Sequence, residues 1–178
     1  NAQGTSANRV NFIRADSTGT WDGIKYYSGS SGSLQYADIS NAYVGIYANN
    51  SSPTISYVNI SDCTYGVRPY SSNITVSHST INNCSYGVYA QSGYPNINNS
   101  TISNCSYGAY LRYSNAGITG NEITGCTRGV YGYCADYTDI VNNLITGGAS
   151  GRVAGVQVYD TDEPTIYNNF PIDFDKGK

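Results

Sequence analysis

The sequence predicts an all-β parallel solenoid, and three observations carry that expectation. A step of about 21 residues runs through the chain. Each repeat holds several short apolar columns, not one helical stripe. The composition is poor in helix formers and rich in Gly, Ser, Asn and Tyr. Gly followed by a small or branched apolar residue recurs at Gly23-Ile24, Gly45-Ile46, Gly66-Val67, Gly87-Val88, Gly108-Ala109, Gly129-Val130 and Gly155-Val156. The steps between these glycines are 22, 21, 21, 21, 21 and 26 residues. Self-similarity at a fixed period of this length marks a repeat architecture.

Each repeat divides into three strands. A first apolar column reads Leu34, Ile55, Val76, Ile97, Ile118, Ile140 and Ile166. A second follows five residues later: Ile39, Ile60, Ile81, Ile102, Ile123 and Ile145. The Gly-Val positions make a third. No helical period of 3.6 fits this spacing, whereas three short strands between Asn-, Ser- and Gly-rich turns do. A single rung cannot bury its inward residues alone. Stacked rungs pair each strand with its copies at about 4.8 Å and turn the inward positions into continuous ladders. The count predicts about eight rungs. The 26-residue step predicts a loop of about five extra residues near 147–152, of the kind that leaves one face of a repeat protein.

Composition bounds the function. The chain has 178 residues and reads as one domain over 1–178. Charged residues make up only 12% of it, and the net charge is -3 with nine Lys and Arg. That leaves no basic stripe for phosphates, so nucleic acid is not an expected partner. No apolar run approaches the roughly 20 residues of a membrane span. The chain begins Asn-Ala-Gln and contains no Met, which predicts a processed protein or a segment of a longer one. A surface of Asn, Ser, Thr and Tyr suits a secreted or cell-surface location.

The repeats Ile60-Ser-Asp-Cys-Thr-Tyr-Gly-Val67, Ile81-Asn-Asn-Cys-Ser-Tyr-Gly-Val88 and Ile102-Ser-Asn-Cys-Ser-Tyr-Gly-Ala109 resemble the right-handed parallel β-helix repeat family. That family takes in pectate-lyase-like and NosD-like secreted proteins. The resemblance covers nearly the whole chain. It implies the right-handed coil that parallel crossovers also favour. It is specific for fold and unspecific for activity, since one fold hosts many functions.

Cys63, Cys84, Cys105 and Cys126 share the 21-residue step. Their in-register side chains point the same way, which suits a disulfide dihedral poorly. They read as buried free thiols filling the core. A metal ladder is the alternative, and it lacks the Cys-x-x-Cys pairs and His partners of zinc sites. Cys134 lies off this column.

Two candidate surfaces remain. The position after the third inward column reads Lys25, Tyr47, Arg68, Tyr89, Tyr110, Tyr131 and Gln157, and Arg112 lies in a neighbouring column. Tyr47, Tyr89, Tyr110 and Tyr131 would form a flat aromatic strip for a polysaccharide or cell-surface glycan. Arg68 and Arg112 would pair with uronate carboxylates. Cross-strand stabilisation alone explains such a strip equally well. Tyr65, Tyr86 and Tyr107 sit two residues before the inward column, and they are expected to face partly inward at a corner.

The scarce acidic residues gather late in the chain, where Asp136, Asp160, Asp162 and Glu163 are candidates to hold Ca²⁺. The same carboxylates keep open a second reading, which the resemblance supplies: a polysaccharide lyase or glycoside hydrolase of the β-helix type. The open ends of a solenoid invite end-to-end stacking into a homo-oligomer or filament. The leading expectation is a non-enzymatic extracellular module that binds polysaccharide or builds surface structure.

Overall fold

The computed structural model describes residues 1–15, 18–147 and 154–169. Among them every regular element is a strand, and all strands pair in parallel into three sheets. The first sheet has eight strands, running from Ala2–Gln3 through Ser33–Gln35, Thr54–Ser56 and Thr75–Ser77 to Thr165–Tyr167. The second has seven, from Val10–Phe12 to Leu144–Gly147. The third also has seven, from Ile24–Tyr26 through Tyr65–Tyr70, Tyr86–Gln91, Tyr107–Arg112 and Arg128–Tyr133 to Ala154–Tyr159. In sequence the chain visits first, second and third sheet in turn, which is the path of a parallel β-solenoid.

The seven strands of the third sheet delimit six complete turns, not the eight expected. Counting repeats included the partial coil at each end. Thr165–Tyr167, for example, belongs to the first sheet and is followed by no described strand in the other two. The loop expected near 147–152 falls, after Gly147, outside the described residues.

Register follows the repeat. Ile81 pairs with Ile60 on one side and Ile102 on the other. Val76 pairs likewise with Ile55 and Ile97. The first column from Leu34 to Ile140 and the second from Ile39 to Ile145 are buried throughout. Ile166, on the last described strand, departs from its column and is 39% exposed.

Corners are sharp because single residues take the left-handed conformation. At one corner Tyr36, Tyr57, His78, Asn99 and Asn142 have φ between 46 and 56°. At the next, Asn41, Asp62, Asn83 and Asn104 do the same. Asn and Asp tolerate this region better than most residues, which accounts for the Asn-rich turns. Gly87 is required for a different reason. A Cβ there would lie 2.6 Å from both the Gly108 carbonyl oxygen and Ile102 Cγ2. Rungs therefore touch at the Gly column closely enough to exclude any side chain.

A buried polar column runs beside the first corner: Ser79, Ser100, Asn121, Asn143 and Asn169. The Ser100 backbone N–H donates to Asn121 Oδ1 at 3.0 Å. Asn121 N–H donates to Asn143 Oδ1 at 2.9 Å, and Asn143 N–H to Asn169 Oδ1 at 3.0 Å. The Asn143 amide also donates to the Ile118 carbonyl at 2.8 Å. The backbone donors of Ser79, Ser100, Asn121 and Asn143 are each satisfied by a side chain of the next rung, as burial of polar groups demands.

Candidate functional site

The third sheet carries the most ordered outer face. In Tyr65–Tyr70, Tyr86–Gln91, Tyr107–Arg112 and Arg128–Tyr133 the second and third residues, a Gly followed by Val or Ala, are both buried. Gly66 is buried, and a Cβ on it would meet Ile81 Cγ2 at 2.6 Å, while Val67 is fully buried. Two successive inward residues shift the alternation by one. Tyr65, Tyr86 and Tyr107 consequently stand on the outer face, not at the inward corner that simple alternation predicts.

Two tyrosine columns result. Tyr65, Tyr86 and Tyr107 stack with ring centroids 5.1 Å apart. Tyr89, Tyr110 and Tyr131 stack at 5.0 Å. The columns interlock edge to face, for instance Tyr86 against Tyr89 at 5.3 Å and Tyr107 against Tyr110 at 5.2 Å. Edge-to-face and offset pairs are the favoured geometries of aromatic rings, each contributing roughly 0.5–1.5 kcal/mol beyond area burial.

Arginines close the columns at opposite ends. Arg68 lies over the rings of Tyr65 at 4.8 Å and Tyr89 at 5.6 Å. Arg128 lies over Tyr107 at 5.0 Å and Tyr131 at 5.8 Å, and its Nη1 donates to Tyr107 Oη at 2.7 Å. Burial pushes the hydroxyls of Tyr65, Tyr86 and Tyr110 above their ordinary value of 10.0, so they stay protonated donors at neutral pH.

The structure thus brings together Arg68, Tyr89, Tyr110 and Tyr131. Tyr47 pairs in register with Arg68, one rung before it, and packs against Tyr27 at 6.2 Å instead of joining the stack. Arg112 pairs in register with Gln91 and Tyr133 and sits 5.3 Å from the Tyr113 ring. One expectation changes. Because the rings stack on one another, their faces are covered. Solvent meets ring edges, hydroxyls and guanidinium groups, so the strip offers hydrogen bonds and charge, not flat aromatic platforms.

A second region lies at the corner between second and third sheets. An open groove of about 620 Å³ is floored by Cys63, Cys84 and Cys105. Asp62, Asn83 and Asn104 flank one side, and Thr64, Ser85 and Ser106 the other. The four column thiols are free and buried. Each donates to a carbonyl two residues back: Cys63 to Ser61 at 3.1 Å, Cys84 to Asn82 at 3.3 Å, Cys105 to Ser103 at 3.2 Å and Cys126 to Thr124 at 3.6 Å. Hydrogen bonding to the next thiol, with burial, pushes Cys84 and Cys105 up to about 12 and raises Cys63 further. Cys126, last in the column, is lowered by the bond from Cys105.

Asp136 is half-buried, and Asp160, Asp162 and Glu163 are exposed. The Glu163 N–H donates to the Asp136 carbonyl oxygen at 3.1 Å, and Cys134 Sγ lies 3.8 Å from Asp160 Oδ2. Among the described residues no three His, Cys, Asp or Glu side chains group as one metal site. His78 is exposed at a corner and stacks on Tyr57 at 5.1 Å. Also among the described residues, no helix is long and apolar enough to cross a membrane.

No curated protein and no solved structure matches this chain. The family model described as "Periplasmic copper-binding protein (NosD)" matches residues 4–173, nearly the whole coil described above, and the chain belongs to that family.

Proposed function

We propose that this chain is an exported, non-enzymatic β-helix module whose third-sheet face binds an extended polysaccharide. One observation carries the reading: six interlocked tyrosines, closed by Arg68 and Arg128, form a rigid array of hydroxyls and guanidinium groups. Donors repeat along it at the strand spacing, about 4.8 Å. Side chains already held by stacking lose little entropy on binding. The arginines favour an acidic glycan such as a uronate polymer, through charge-assisted hydrogen bonds. A glycan array and titration with polyuronate test it. Tyr89→Ala with Tyr110→Ala should weaken binding about tenfold or more, while unchanged binding removes the reading. Release of unsaturated uronate with added Ca²⁺, abolished by Asp162→Ala, would replace it with the lyase and give Asp136, Asp160, Asp162 and Glu163 their calcium role. End-to-end stacking would pair the exposed strand Thr165–Tyr167 with another copy, and sedimentation velocity reads that assembly.

The family description names copper, which sets a test for the donors present. Cu²⁺ prefers imidazole and oxygen ligands in tetragonal geometry. The single His stacks on a tyrosine, and no three ligands group among the described residues, so that form does not fit. Cu⁺ is soft and selects thiolates. Four thiols in one column, three of them lining an open groove, fit that form. Bound there, the ion would be held by sulfur alone.

A further inference from the structure

The strands of the third sheet carry charge of one sign. They contain Lys25, Arg68, Arg112 and Arg128 and no Asp or Glu, although the chain as a whole is acidic. Lys25 is paired with Asp22 at 2.7 Å. Among the described residues Arg68 and Arg128 enter no ion pair, so their charge is left for an anion from outside. Register fixes how far apart these two stand. Arg128 follows Tyr65, Tyr86 and Tyr107 in one ladder, and Arg68 shares its strand with Tyr65. Three rungs therefore separate them, roughly 14 Å along the coil at the strand spacing. Each guanidinium lies over a ring of its own strand, Tyr65 for Arg68 and Tyr131 for Arg128, which keeps its charge near that level. The two rungs between present the neutral hydroxyls of Tyr86 with Tyr89 and of Tyr107 with Tyr110. Arg112, on the second of these rungs, lies against Tyr113 just past its strand end.

We propose that this face reads the spacing of charge along its glycan: one carboxylate at Arg68, one at Arg128, and two sugars between them on the tyrosine hydroxyls. The inference rests on the polysaccharide reading and adds a length and charge rule to it. In an extended 1,4-linked chain each sugar advances by close to one strand spacing. The sugars that reach both arginines are then the first and the fourth. Carboxylates on the second and third meet no cation in that register. The ligand is an acidic tetrasaccharide or longer chain whose carboxylates face the protein on every third sugar. A uronate homopolymer wound three sugars to the turn has this property, and so does a glycan of trisaccharide repeat with one uronate. Ring contacts already hold both guanidiniums, so little freedom is lost on binding. Once the first carboxylate is held, the second docks as an intramolecular event.

The test is calorimetric titration of the full chain, at fixed ionic strength, with α-1,4-galacturonate oligomers of two to six sugars. Affinity should rise by about tenfold or more between three and four sugars, where the second charge-assisted contact forms, and only by small increments at the other steps. Arg68→Gln and Arg128→Gln should each abolish that step, so that trimer and tetramer bind alike. A synthetic tetramer with carboxylates only on its end sugars separates the two sources. If it matches the galacturonate tetramer, spacing alone is read. If it alone shows the step, the ligand is a glycan of trisaccharide repeat. If only the galacturonate tetramer shows the step, the inner carboxylates take part and the spacing rule is overturned. Affinity that grows evenly with length, or a step that survives either glutamine variant, overturns the rule and leaves the polysaccharide reading standing. No binding at any length removes both. Circular dichroism checks that each variant is folded. If one is not, the length series on the wild-type chain decides alone.

Discussion

Two buried corner columns share one step and differ in what they connect. In the column of Ser79, Ser100, Asn121, Asn143 and Asn169, the backbone of one rung donates to the side chain of the next. In the column of Cys63, Cys84, Cys105 and Cys126, each thiol donates to a carbonyl two residues back on its own rung. The amide column therefore ties rungs together, and removing a member orphans donors on two levels. The thiol column is satisfied locally, so a member can be exchanged with the coil intact. A solenoid can thus devote one corner to cohesion and leave another open to different chemistry.

The largest effect expected from this contrast is at Asn143. Asn143→Leu strands the Asn121 backbone N–H, takes one of two acceptors from the Asn121 amide, which keeps the Ile97 carbonyl, and removes the amide donor to the Ile118 carbonyl. Unsatisfied buried groups cost about 1–3 kcal/mol each, so a loss of at least 3 kcal/mol is expected in chemical denaturation. A loss below about 1 kcal/mol would show that rung cohesion does not run through this column.

Next comes Tyr86, which touches four other rings: Tyr65, Tyr89, Tyr107 and Tyr110. Tyr86→Ala should cost about 2 kcal/mol, from lost ring pairs and a gap on a half-buried face. Cys105→Ala should cost less, about 1 kcal/mol, since a small apolar group replaces a thiol whose partner is a carbonyl of the same rung. Equal losses for Cys105→Ala and Asn143→Leu would erase the distinction between the corners.

How much of this was legible in the sequence depends on the residue. Ile81 and Ile102 announced their contact through the repeat, because in-register stacking makes equal spacing equal position. The same logic placed Tyr89, Tyr110 and Tyr131 in one row. It failed for Tyr65, Tyr86 and Tyr107, because a buried Gly before a buried Val shifts the alternation. The signal was present in the Gly itself, where rungs approach too closely for a side chain. The amide column was also readable, since Asn121, Asn143 and Asn169 keep step with the insertions. Asn in a turn suggests a corner more readily than a buried ladder, so it was missed. For the carboxylates the repeat gives Asp136 and Asp162 equivalent places, and equivalent places on an outer turn do not by themselves bring side chains to one point, so the repeat alone does not make a site of them with Asp160 and Glu163.

The smallest predicted effect distinguishes the two corners without a substitution. Amides do not titrate, whereas the Cys84 and Cys105 thiols stand at about 12 against an ordinary 9.0, with Cys63 raised as well. A folded pKa above the unfolded one means that the fold holds the proton more tightly. The resulting stability is complete below pH 9, where both states are protonated, and declines as pH rises from 9 toward 12. Cys126 is lowered and offsets part of this, because its thiolate is favoured in the fold. Three raised thiols against one lowered give a net fall in stability on the alkaline side. Urea denaturation between pH 8 and pH 11 should show that fall. It should shrink in Cys105→Ala, which removes one raised thiol and the bond that lowers Cys126. A profile flat to pH 11 would mean that the fold holds the thiol protons no more tightly than the unfolded chain does, and this distinction between the corners would be lost.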